Sequence, residues 1–218
     1  MSNQGQKLVQ CLNAISAYGE EIDALRETLN ELFVKEIDRA DSTFKNSGNQ
    51  IYSERKDNHG WIYTDIANSF PLMGTEKRKV TEMHLSYQIS LTGNGMSSHE
   101  NDEPLLHVSL WADPINFDDE YCMSYPLEKD DSVSIEDKRL IVWGERNDDW
   151  KSANWTFSVR LLTLDSSQAL LDRVIRPALK LLQGKSASEA LPDNLPGLVL
   201  YPDNSALYAA TENGLKAA

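Results

Sequence analysis

The stretch that decides the fold is VTEMHLSYQISLTGNGMSSHENDEPLLHVSLWA, residues 80–112. In its first part Met83, Leu85, Tyr87, Ile89 and Leu91 alternate with Glu82, His84, Ser86, Gln88 and Ser90. In its last part Leu106, Val108, Leu110 and Ala112 alternate with His107 and Ser109. A period of two is the strand period, because successive side chains leave a strand on opposite sides. Gly93-Asn94-Gly95, between the two runs, is a turn signal. The stretch therefore predicts two strands of an antiparallel sheet, with one apolar face toward a core and one polar face toward water.

Downstream, RLIVWG (139–144) is a short apolar run, and Trp155, Phe157, Val159 and Leu161 alternate with Thr156, Ser158 and Arg160. These add two strands, and the segment around Tyr121 to Tyr125 is a candidate edge strand. Leu170, Leu171, Val174, Ile175, Leu179 and Leu182 then recur at helical spacing after the N-cap candidates Asp165, Ser166 and Ser167. Pro177 has no N–H and is expected to kink this helix or begin a second. Another short helix is expected after Asp203.

Upstream, Trp61 to Met73 reads as a strand or covering loop, and residues 41–60 (DSTFKNSGNQIYSERKDNHG) as a polar linker or loop. Before them lies the longest periodic element. Leu8, Cys11, Ile15, Tyr18, Ile22, Leu25, Leu29 and Leu32 are spaced 3, 4, 3, 4, 3, 4, 3, an unbroken heptad pattern. It predicts a coiled-coil-like helix over about 6–40, with Leu8, Ile15, Tyr18, Ile22, Leu25, Leu29 and Leu32 as self-association residues. In a parallel pair Glu21 and Arg26 would attract across the seam. The fold expected is α+β: this helix, a four- to five-stranded antiparallel sheet, and C-terminal helices covering one face. The expected division is 1–40 as an association helix, 41–60 as a linker and 61–218 as one α+β domain able to fold without the helix.

The chain carries 34 acidic and 21 basic side chains, a net charge of −13. Twelve of the acids and only Lys129 among the bases lie between Glu100 and Asp137. A focused acidic segment suits a basic protein partner, and Asp118, Asp119, Glu120, Asp130 and Asp131 are its candidate contacts. It argues against direct nucleic-acid binding, which requires clustered Lys and Arg. Trp111 shares the polar strand face with His107, where an exposed indole would anchor an interface.

The sequence contains no phosphate-binding GxxxxGK[ST], HExxH or GxSxG pattern. Cys11 and Cys122 form no CxxC pair, and the acids beside Cys122 disfavour its thiolate. In a hairpin register His107 faces Ser90 or Gln88, leaving His84 about 13–20 Å away, too far to share a metal ion. No catalytic residue, cofactor or metal is assigned. The opening residues carry no export signal and no apolar run is long enough to span a membrane, so a cytoplasmic location without membrane contact is expected. The expected function is that of a non-enzymatic protein-binding module, of adaptor, chaperone or immunity type, that forms a homodimer. The alternatives are an enzyme built from His84, His107, Trp111 and Arg160 on the polar sheet face, or an acidic mimic of nucleic acid.

Overall fold

The computed structural model describes residues 2–39, 44–74, 83–92, 97–98, 101–123, 133–143 and 154–201. The expected helix after Asp203, the Gly93-Asn94-Gly95 turn and the acids Asp130 and Asp131 lie outside them, as does part of the candidate edge strand near Tyr125. The chain is α+β. Among the described residues a long helix α1 (Ser2–Ile37) precedes ten strands: β1 (Phe44–Asn46), β2 (Ile51–Lys56), β3 (Tyr63–Gly74), β4 (Met83–Ser90), β5 (Ser97–Ser98), β6 (Asn101–Asp102), β7 (Leu105–Trp111), β8 (Val133–Glu136), β9 (Leu140–Trp143) and β10 (Asn154–Arg160). Short helices follow: α2 (Ser167–Leu170), a wider π-type turn at Leu171–Ile175, α3 (Arg176–Leu182) and α4 (Ala187–Ala190). Ser166 caps α2, and the widened turn comes just before Pro177, whose ring and missing N–H disrupt the regular ladder.

Among the described residues the sheet has eight strands, not four or five. Its order is β1-β3-β4-β7-β10-β9-β8, with β2 also paired to β3, and every pairing is antiparallel. The surplus comes partly from residues expected to be a linker. β1 and β2 lie within 41–60 and share one edge of the twelve-residue β3. Their sequences are polar because they form an edge, where charged side chains such as Glu54 and Lys56 reach water.

One face carries the main core. Leu85, Tyr87 and Ile89 of β4, Leu106, Val108 and Leu110 of β7, and Trp155, Phe157 and Val159 of β10 pack under the helices. Leu170, Val174, Ile175, Ala178 and Leu181 cover part of that face, as expected. Leu29, Phe33 and Ile37 of α1 cover another part, and all three are fully buried. Phe33 meets Phe70 and Tyr87 at ring-centroid distances of 5.3 and 6.0 Å. The Tyr87 hydroxyl donates to Asn30 Oδ1 at 2.7 Å, and Asn68 Nδ2 donates to the same oxygen at 2.7 Å. The C-terminal half of α1 thus belongs to the core of the sheet.

The other face is not wet. Every residue of β4 and β7 is buried on both sides. Residues 112–123 fold back across this face and turn Ile115, Phe117 and Met123 inward, where they join Ala67, Leu105, Trp111, Ile141, Val199 and Tyr201 in a second, smaller core. Among the described residues no helix is long and apolar enough to cross a membrane.

Candidate functional site

Two surfaces bear on function: the buried polar layer with its covering segment, and the exposed half of α1. Polar groups removed from water must find hydrogen bonds inside the protein, and the polar layer does this by pairing with its cover. Gln88 donates to the Met123 carbonyl at 2.9 Å and accepts from the Met123 N–H at 2.8 Å. Ser69 Oγ accepts from the Ile115 N–H at 3.0 Å and from Ser86 Oγ at 2.7 Å. Arg55 donates to the Phe117 carbonyl at 2.8 Å, with its guanidinium above the Phe117 ring. Ser90 Oγ donates to the buried Asp65 at 2.7 Å. Burial holds the Asp65 carboxyl above its ordinary range, against hydrogen bonds and the Arg55 charge that pull it down.

The residues of the enzyme alternative lie in or beside this layer. His107 Nδ1 and Ser158 Oγ are 2.6 Å apart, and Ser158 Oγ bonds the Tyr201 hydroxyl at 2.5 Å. His84 Nδ1 lies 3.1 Å from the Ala112 carbonyl oxygen. Arg160 donates to Glu103 at 2.7 Å. Gln88 pairs with His107 and Trp111 with His84, so the two histidines stand four residues apart in register, about 13 Å. Among the described residues no cluster of three His, Cys, Asp or Glu side chains could hold a metal ion. Burial pushes the Cys122 thiol up, the wrong direction for a nucleophile.

Trp111 departs from its sequence reading. It is 5% exposed, edge-on to Tyr121 and Trp143 at 5.0 and 6.1 Å, and so is not a surface anchor. The acids of the covering segment do face water. Asp118, Asp119 and Glu120 occupy a tight turn closed by the Asn116–Tyr121 bridge, with Asn116 Nδ2 donating to Asp119 Oδ2 at 2.6 Å. The segment is a docked strap, apolar within and acidic without.

The exposed part of α1 is the larger feature. Residues 4–21 are all exposed, about 27 Å of helix at 1.5 Å per residue. Leu8, Val9, Leu12, Ile15 and Tyr18 lie bare on it, Tyr18 at 67% exposure, together with Cys11. The heptad residues thus divide. Leu29 is core, Leu25 and Leu32 are half-buried against it, Ile22 is half-buried, and Leu8, Ile15 and Tyr18 are uncovered.

At mid-helix this stripe becomes one wall of an apolar groove of about 510 Å³. Ile15, Tyr18, Ile22 and Leu25 form that wall, and Trp61 and Leu162 also line the groove. Trp61 is 79% exposed and Leu162 80%, extreme values for such large apolar side chains. The backbone at Trp61 is tied to Asp57, whose Oδ1 accepts from the Trp61 and Ile62 N–H groups at 2.7 and 3.1 Å. Those two bonds, the Ile62 one first, hold the Asp57 carboxyl below its ordinary range.

Sequence reasoning found the stripe and missed Trp61 and Leu162. An aromatic beside the His59-Gly60 turn was the available signal for Trp61. Compared with known protein families, characterised proteins and solved structures, the chain matches none.

Proposed function

We propose that this chain is a non-enzymatic, cytoplasmic protein-binding module of adaptor, chaperone or immunity type, which docks partners on the exposed half of α1 and its adjoining groove. The observation that carries this reading is the run of apolar surface from the bare Leu8, Ile15 and Tyr18 through the half-buried Ile22 to the bare Trp61 and Leu162. Contiguous apolar surface is unfavourable in water and is retained where a partner covers it. Its geometry suits a helix laid in a groove, the mode in which apolar anchors recur every three or four residues. The acidic strap at Asp118, Asp119 and Glu120, with Asp130 and Asp131 beyond it in sequence, adds a field that favours a basic partner.

The test is affinity capture from the native cell with the full chain and with a Leu8→Glu/Leu12→Glu variant. Both positions are exposed, so thermal unfolding of the dilute, monomeric chain should be unchanged. Partners bound by the natural chain and lost by the variant support the reading. The same partners bound equally by both chains overturn it.

A further inference from the structure

We propose that the apolar seam of α1 is covered by a second copy of the same helix running antiparallel, with Ile15 at the two-fold axis. The inference rests on reading that seam as a docking surface, and names its occupant. A stripe repeating at 3 and 4 residues fits another helix, because knobs on each side enter holes on the other.

The charge along α1 fixes the direction. Residues 2–19 contain one charged side chain, Lys7. Residues 20–31 contain Glu20, Glu21, Asp23, Glu27 and Glu31 against Arg26 alone. A parallel pair stacks the acidic halves on each other, whereas an antiparallel pair lays each near-neutral half along the other's acidic half. The attraction that would rescue a parallel pair, Glu21 to Arg26, is pre-empted. Arg26 donates to the Tyr52 hydroxyl at 3.1 Å, lies over the Tyr52 ring, and pairs with Asp23 at 3.4 Å.

The exposed seam runs from Leu8 to the half-buried Ile22, and its midpoint is Ile15. With Ile15 on the axis, Leu8 of one copy meets Ile22 of the other, at the wall of the groove that Trp61 and Leu162 flank. The same register brings Lys7 of one copy within a turn of Glu21 of the other, on the same flank of the seam. The interface is isologous, so each contact occurs twice and the assembly closes at two. Two grooves are filled by two half-helices, and no seam remains open.

The test uses the purified full chain in three forms: unmodified, Cys11→Ser, and Cys11→Ser/Ile15→Cys. Static light scattering should give twice the 24.6 kDa chain mass at micromolar concentration. Mild oxidation should cross-link the Ile15→Cys form and spare the unmodified chain. Antiparallel helices centred on Ile15 hold the two Cys11 residues eight positions apart, about 12 Å along the axis, whereas a disulfide needs Cα atoms within about 7 Å. Lys7→Glu should weaken the dimer about fivefold, as expected for losing two exposed ion pairs. Ready cross-linking of Cys11 in the unmodified chain means a parallel pair and overturns the proposal. So does a dimer in which neither cysteine cross-links. A monomer throughout also overturns it, yet leaves a different partner for the same seam, which the capture experiment decides separately.

Discussion

At the scale of single residues, Asp65 shows what the buried polar layer costs and returns. Its carboxylate is removed from water between β3 and β4 and is held by Ser90 and Gln88. Burial raises its proton affinity in the folded chain above the unfolded value of about 3.9. The folded state therefore binds the proton more tightly than the unfolded state does. The associated stability is fully present below about pH 3.9 and is lost as pH rises through the folded value. Asp65→Asn keeps an oxygen to accept both hydrogen bonds and removes the charge. Urea unfolding at pH 7 should find this variant at least as stable as the natural chain. On acidification the natural chain should gain on the variant. A variant less stable by more than about 1 kcal/mol at pH 7 would show that the ionised carboxylate is the favoured form, as a hydrogen-bonded charge can be.

At the scale of elements, α1 is one helix with two halves. Phe33 lies among Phe70 and Tyr87, and replacing it with Ala should cost about 3–5 kcal/mol in a core that cannot collapse around the gap. Leu8→Ala in dilute solution should change stability by no more than about 0.5 kcal/mol, because Leu8 touches no core. Deleting residues 2–19 should leave cooperative unfolding intact. Deleting 1–40 should abolish it, because Leu29, Phe33 and Ile37 leave with the helix. Calorimetry of the two truncations checks both expectations.

The heptad pattern was legible in the sequence, but the division of the helix was not. The burying residues step by four, from Leu29 to Phe33 to Ile37, and so drift off the 3.5 repeat toward the sheet. The strands β4, β7 and β10 were legible because alternation is a local property. That their polar face is covered was not, since alternation does not say what lies above a face. One signal was present. Ser86, Gln88, Ser90, Ser109, Thr156 and Ser158 are uncharged, whereas a solvated face ordinarily carries Lys and Glu. The edge strands β1 and β2 were hidden by their own polarity, and Trp111 by the assumption that its face was open.

At the scale of the whole molecule, two surfaces stand apart: an apolar seam on a projecting half-helix, and an acidic strap over the far face of the sheet. In the proposed reading the strap acts at long range and the seam at contact. Replacing Asp118, Asp119, Glu120, Asp130 and Asp131 by their amides should slow association with a basic partner by about tenfold or more, and raise its off-rate far less. The loss should shrink at high salt, where the Debye length falls from about 10 Å at 0.1 M to about 3 Å at 1 M. Stopped-flow mixing at two ionic strengths reads both effects. Association indifferent to salt and to the five changes would make the strap a solvated loop with no steering role.

The bare half of α1 is, in the proposed reading, a surface that a partner covers, and amide hydrogen exchange on the full chain tests this residue by residue. Residues 25–37 should exchange slowly at every concentration, because the sheet holds them. Residues 8–22 should exchange fast in dilute solution, slow as the chain is concentrated, and stay fast in a Leu12→Glu variant. Exchange across 8–22 that is the same at all concentrations and in both chains would contradict a self-covered seam. If it also stays unchanged with captured partners added, it would contradict the claim that the seam is a docking surface at all.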